Sequence, residues 1–201
     1  MEIINLFPQP VGIRDLDRSL TAAELKCLTG QPQRPNQGNT SSQDTYVLDQ
    51  KVMRGFRTWI QAQVDEYFAE TITPESAVSL RITQSWTNHT DGGHWHHKHS
   101  HPNSIISGVF YVQSEPGRDR IHFYRDEVRQ LKVRPSAWHM YNSESWWLES
   151  IPGRLLLFPS TLTHMVEAIP ADAPTRISLS FNTFYQGTVG SELELTQLRL
   201  K

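Results

Sequence analysis

The hydrophobic pattern changes its period part-way along the chain. Between about Thr45 and Glu70 the apolar residues Val52, Phe56, Trp59, Ile60, Val64 and Phe68 recur at spacings of three and four. That is the period of a helix with one apolar stripe, so the segment must pack that stripe on something. A shorter helix is predicted ahead of it, over about Ala22 to Leu28. Thr21 and Glu24 are spaced as a capping box and Gly30 supplies a stop. Gln31 to Ser42, rich in Pro, Gly, Asn and Gln, reads as a loop.

From Ser79 onward, short runs of Val, Ile, Thr, Trp, Tyr and Phe alternate with Gly, Pro, Asn and Ser. They predict strands at Leu80–Thr87, Ile105–Gln113, Ile121–Tyr124, Arg129–Val133, Trp138–Asn142, Arg154–Phe158, Thr163–Ala168 and Arg176–Tyr185. The tail Glu192–Leu200 also alternates through Leu193, Leu195, Leu198 and Leu200. Strands at this density predict a sandwich, jelly roll or barrel. The expected order is a helical part over about 1–78 and a sheet part over about 79–201, in a single domain 1–201. Two packed antiparallel sheets are expected, with the long helix lying against one of them.

At 201 residues the chain has the usual size of one domain. Hydrophobic residues at 37% and charged residues at 20% place it among globular chains. A net charge of -2 without a basic cluster offers no footprint for nucleic acid. Cys27 is the single cysteine, which rules out an internal disulfide framework; it reads as a small buried hydrophobe. The first residues lack the basic and apolar regions of a signal peptide, and no stretch approaches a membrane span. A cytoplasmic, soluble protein is expected.

The histidines are crowded: six of the nine fall between His89 and His101. His99 and His101 are two apart, so in an extended backbone both imidazoles point one way and can converge on one ion. Pro102 favours that extended backbone at His101. His97 and His99 share the spacing and form an alternative pair. Downstream, the Pro152-Gly153 turn launches a buried run, Leu155-Leu156-Leu157-Phe158, and His164 follows at the start of the next strand. A third feature is Arg176-Ile177-Ser178-Leu179-Ser180-Phe181-Asn182. Alternation puts Arg176, Ser178, Ser180 and Asn182 on one face. A guanidinium inside a strand needs a partner, either a structural acid or the carboxylate of a ligand.

Five segments taken together carry a family resemblance. Ser85-Trp86-Thr87-Asn88, His99-Ser100-His101-Pro102, Ser107-Gly108-Val109-Phe110-Tyr111-Val112, Leu156-Leu157-Phe158-Pro159 and Arg176 to Asn182 resemble, in this order, the Fe(II)/2-oxoglutarate-dependent oxygenase superfamily. More narrowly they resemble its small bacterial and phage members, as does the opening Ile4-Asn5-Leu6-Phe7-Pro8. The resemblance spans about Leu80 to Phe184. It implies a mainly β fold, a double-stranded β-helix (jelly roll), with the N-terminal helices packed on one sheet. It implies Fe(II) and 2-oxoglutarate as cofactors, with release of succinate and CO2. His99 and His164 match the two histidine ligands of the superfamily. Arg176 matches the arginine that holds the distal carboxylate of 2-oxoglutarate, with Ser178 beside it. Tyr111 resembles a tyrosine that assists that arginine in prolyl-hydroxylase-like members, and Asn88 and Asn182 are implied to face the same cavity.

The sequence departs from the superfamily at one position. The usual motif is His-x-Asp or His-x-Glu, but the second position here is His101, giving three neutral imidazoles. Asp91, on a Gly-rich loop, is the alternative source of a carboxylate. The expected substrate is a small molecule or peptide held by the loops, with Trp86, Trp95, Trp138, Trp146 and Trp147 as candidate pocket residues. Two other classes fit the same residues: a cupin-like metalloenzyme that does not use 2-oxoglutarate, and a non-catalytic metal- or ligand-binding module.

Overall fold

The structure is a computed structural model that describes residues 1–74, 77–126 and 133–201. The chain opens with strand β1 (Gly12–Asp15) and helix α1 (Ala22–Thr29). The predicted capping box is present: Thr21 Oγ1 accepts from the Glu24 N–H at 3.2 Å, and the Thr21 N–H donates to Glu24 Oε2 at 2.8 Å. Gly30 ends the helix with φ −97°, not in the left-handed region, and its N–H returns to the Lys26 carbonyl. The expected loop at Gln31–Ser42 instead contains two short paired strands, β2 (Gln33–Pro35) and β3 (Thr40–Ser42). Gly38 at φ +86° makes the turn between them.

The long helix starts later than its period predicts. Val47–Asp49 and Lys51–Met53 form tight 3-10 turns, and helix α2 runs Arg54–Ile72. Val47, Leu48 and Met53 bury their side chains through those turns, while Val52 stays exposed. From Phe56 the stripe holds: Phe56, Ile60, Val64 and Phe68 are buried, and Trp59 is half-buried.

The remaining strands are β4 (Val78–Thr90), β5 (His96–His99), β6 (Ile106–Gln113), β7 (Arg120–Tyr124), β8 (Ser145–Glu149), β9 (Arg154–Pro159), β10 (His164–Val166), β11 (Arg176–Val189) and β12 (Leu198–Leu200). A large sheet has the order β1-β9-β6-β11-β4-β3-β2, with β12 on the end of β11; a small sheet has the order β5-β10-β7-β8. Every strand ladder is antiparallel. The fold is a double-stranded β-helix with helix α2 on the outer face of the large sheet.

One expected strand is absent, and the alternating tail pairs only in part. Trp138–Asn142 is turn, with Trp138, Met140 and Tyr141 exposed, and the chain pairs instead at β8. In the tail only Leu198–Leu200 pairs; Leu193 and Leu195 are exposed in a turn. Both segments alternate but have no second layer to cover them. The predicted strand at Arg129–Val133 falls mostly outside the described residues.

Over β6 and β9 the large sheet is apolar on both faces. Leu80, Ile82, Phe110, Leu155, Leu157, Leu179 and Phe181 pack with helix α2, whereas Val109, Tyr111, Leu156 and Phe158 pack between the sheets with Ile121, Phe123 and Leu162. This is why Val109–Val112 of β6 and Leu155–Phe158 of β9 read as unbroken hydrophobic runs. Among the described residues, no helix is long and apolar enough to cross a membrane.

Candidate metal centre and diacid site

The histidines come together where the end of β5 meets the start of β10. His99 and His164 are register partners, and Phe123 of β7 flanks His164 on its other side. His101 lies past β5, where the chain crosses toward the large sheet; its N–H donates to the Ser160 carbonyl at 2.9 Å. That crossing is braced by serines. Ser160 Oγ lies 2.7 Å from Ser104 Oγ and 2.8 Å from Ser107 Oγ, and Ser107 donates to Asn182 Oδ1 at 2.9 Å.

The side-chain nitrogens of His99, His101 and His164 lie within 4.8 Å of one another. The His101 and His164 Nε2 atoms are 3.3 Å apart. Two donors each at about 2.1 Å from one ion are about 3.0–3.4 Å apart, so this pair already has the spacing of neighbouring ligands. The other ring nitrogens fix the tautomers. His99 Nδ1 is 2.7 Å from the His97 carbonyl and His164 Nδ1 is 2.9 Å from the Leu162 carbonyl. A carbonyl only accepts, so each Nδ1 carries the proton and each Nε2 lone pair is free for a metal. Burial, chiefly, pushes His164 down to about 3 and His101 down to about 4, and lowers His99 as well. All three are therefore neutral near pH 7, the form that binds a metal.

Facing them, the large sheet presents polar residues rung by rung. Ser178 of β11 pairs with Asn88 of β4 on one side and Tyr111 of β6 on the other; Ser180 likewise lies between Trp86 and Val109. Arg176 stands one rung further along, opposite Thr90. Trp86 and Asn88 reach this face because β4 carries an extra residue: Phe181 pairs with Ser85 but Thr183 pairs with Ile82. Without that bulge the alternation begun by Leu80 and Ile82 would turn both toward helix α2.

A cleft lies between the sheets, lined by Trp86, Asn88, Tyr111, Arg176, Ser178 and the three histidines, among others. Arg176 is 2% exposed, and its Nε and Nη1 have no hydrogen-bond partner. The Tyr111 hydroxyl, also buried, faces the buried Ser150 hydroxyl. The Tyr111 phenol and the buried Asp119 carboxyl act on Arg176 electrostatically without bonding Nε or Nη1, which leaves those two donors for a further carboxylate. The residues present thus fit a metal at one end of the cleft and a carboxylate at the other.

Asn182 is drawn away from this set, its amide oxygen held by Ser107 directly across the β11–β6 ladder. Asp91 is not in the histidine cluster; its Oδ1 is held at the surface by the Thr175 hydroxyl, 2.6 Å away. Of the five candidate tryptophans only Trp86 lines the cleft. Trp138, Trp146 and Trp147 are exposed, and Trp95 packs against Gly38. Sequence reasoning did not single out His96, which lines the cleft, or the Ser104–Ser107–Ser160 brace. The serines carried no signal, being small polar residues at strand ends.

Residues 84–182 match the family described as "Putative 2OG-Fe(II) oxygenase". No curated protein matches significantly. Solved structures share the fold. A 2OG-Fe(II) oxygenase family oxidoreductase from Burkholderia pseudomallei aligns with TM-score 0.55 and 13% identity, over 81% of this chain and 78% of that one. A prolyl hydroxylase from Trichoplax adhaerens, in complex with a hypoxia inducible factor peptide fragment, aligns with TM-score 0.55 and 12% identity, over 86% and 83%. HygX from Streptomyces hygroscopicus, with nickel, 2-oxoglutarate and hygromycin B bound, aligns with TM-score 0.56 and 8% identity, over 87% and 82%. The matched segment contains every residue built into the site above, and over it the chain is similar to the Fe(II)/2-oxoglutarate-dependent oxygenases.

Proposed function

We propose that His99, His101 and His164 hold Fe(II), and that Arg176, helped by Tyr111, Ser178 and Asn88, holds the distal carboxylate of 2-oxoglutarate. In this reading residues 1–201 act as one domain, an oxygenase that hydroxylates or oxidises a small molecule or peptide. Fe(II) with 2-oxoglutarate and O2 supplies the oxidising chemistry, the cosubstrate leaving as succinate and CO2.

The chain's own residues prepare the site. The carbonyls of His97 and Leu162 lock the imidazoles of His99 and His164 in the ligating tautomer. Three neutral imidazoles leave the full dipositive charge on the ion, one negative charge fewer than a site with a carboxylate ligand. That charge and the Arg176 guanidinium sit at opposite ends of one cleft, which favours a dianion spanning both. Phe123 and Phe158 pack on His164 and keep water from behind it. Substrate enters from the open side, past Trp86. The neighbours with hygromycin B and with a peptide bound show both kinds of ligand on this fold.

The orphaned, buried Arg176 opposite three converging histidines carries the reading. Titration of 2-oxoglutarate into the anaerobic Fe(II) protein tests it. A weak visible charge-transfer band is expected in the wild type. In calorimetry Arg176→Met should weaken 2-oxoglutarate by about 2–5 kcal/mol, the range for removing one member of a buried charge pair, with metal binding nearly intact. Equal affinities, or iron binding without the band, would point to a three-histidine metalloenzyme that does not use this cosubstrate.

A further inference from the structure

We propose that His96, His97 and His99 form a second, outer transition-metal site that shares His99 with the inner triad, so that the two sites are filled alternately. This rests on the reading of His99, His101 and His164 as a metal centre.

The side-chain nitrogens of His96, His97 and His99 also lie within 4.8 Å of one another, and their ring centroids are 4.7–5.2 Å apart. His97 Nδ1 is buried and has no hydrogen-bond partner. An unsatisfied buried imidazole nitrogen among two other imidazoles has its lone pair or its proton free, and a neutral imidazole in that setting is a competent metal ligand. The cation of this tract, Lys98, is turned away: its Nζ sits 3.8 Å from the centroid of the Tyr124 ring. The Arg176 guanidinium is the cation that acts on this group, through His96. All three rings are half-buried, as is His101 of the inner triad, while His164 is buried. Strand β5, which carries the outer group, is an edge strand of the small sheet.

Exclusivity follows from His99. Its Nδ1–H is committed to the His97 carbonyl, so only Nε2 can bind, and one lone pair serves one ion. An ion held by His96, His97 and His99 becomes an inner ion by exchanging His96 and His97 for His101 and His164 while staying on His99. The outer group is thus a loading stage for the inner one. Imidazole-only ligation suits first-row ions such as Fe(II), Co(II), Ni(II) and Zn(II).

The test uses tag-free full-length protein and Ni(II) alone, followed by calorimetry. Wild type should bind one equivalent, and His101→Ala/His164→Ala should still bind one, more weakly. Adding His97→Ala to that double variant should abolish the binding. No binding to the double variant, or binding that survives His97→Ala, overturns the outer site; two equivalents on the wild type overturn the sharing. Failure of the wild type to bind at all would instead sink the inner centre. Should the double variant not fold, His96→Gln/His97→Gln in the intact protein serves. It should keep one tight equivalent but load Ni(II) more slowly in stopped flow, and an unchanged loading rate overturns the proposal.

Discussion

Single atoms decide much at this site. Gly108 sits in mid-strand where a Cβ would lie 2.2 Å from the Phe181 ring, so glycine here allows β6 and the Phe181 ring to approach closely. Gly108→Ala should cost about 1–3 kcal/mol, the usual penalty for overpacking a filled core, and urea unfolding would measure it. His101 is the position at which the chain departs from the usual His-x-Asp or His-x-Glu pattern. His101→Ala should weaken Fe(II) or Co(II) binding, because it removes a nitrogen already 3.3 Å from that of His164. His101→Asp should weaken it less, since a carboxylate restores a ligand and adds a negative charge. A titration in which alanine and aspartate behave alike would remove His101 from the coordination sphere.

At the scale of elements, helix α1 depends on its first turn. Glu24, though almost buried, accepts two bonds from Arg18, at 2.7 and 2.8 Å, and one from the Thr21 N–H. The Arg18 guanidinium, first, and the Thr21 bonds hold its carboxyl below the usual carboxylate range. A depressed folded-state pKa means stability that is complete above the unfolded value, near 4.3, and lost as pH falls through the folded one. Glu24→Gln should therefore flatten the acid limb of a stability–pH curve without altering its shape above about pH 6, if the pair acts as argued. Thr21→Ala should cost about 1 kcal/mol at neutral pH, as loss of an N-cap does. Thermal melts of the two variants across pH separate the cap from the ion pair.

The whole molecule couples folding to the metal. Burial, foremost, pushes His96 down to about 2, His164 to about 3 and His101 to about 4. In the metal-free protein the unfolded chain binds more protons at these positions once pH drops below about 6.5. Stability contributed by the neutral imidazoles is complete above that value and declines toward pH 4. Chelator-treated protein should melt at progressively lower temperature from pH 7 to pH 5; a flat profile would contradict neutral, buried imidazoles. Adding metal should raise the melting temperature at pH 7, by about 2.7 kcal/mol of stability at a hundredfold excess over Kd, provided the unfolded chain binds little. The gain should shrink as pH falls, because protons compete for the same nitrogens.

What the sequence determined by itself was local or periodic. The capping box of helix α1, the stripe from Phe56 to Phe68, the two-sided burial of Leu155 to Phe158, and the alternation that puts Arg176 and Ser178 on one face all follow from spacing along the chain. The convergence of His99 with His164 needed the register of β5 on β10, and the place of Asn88 beside Ser178 needed the bulge in β4. Neither is encoded by a local preference, because a ladder slipped by one residue reverses the face of every side chain beyond it. Tertiary structure also chose among alternating segments. The leucines of the tail and the aromatics around Trp138 have the pattern of buried strands but lie where no second layer covers them. Alternation states which side of a strand is apolar; only a neighbouring layer decides whether that side is buried.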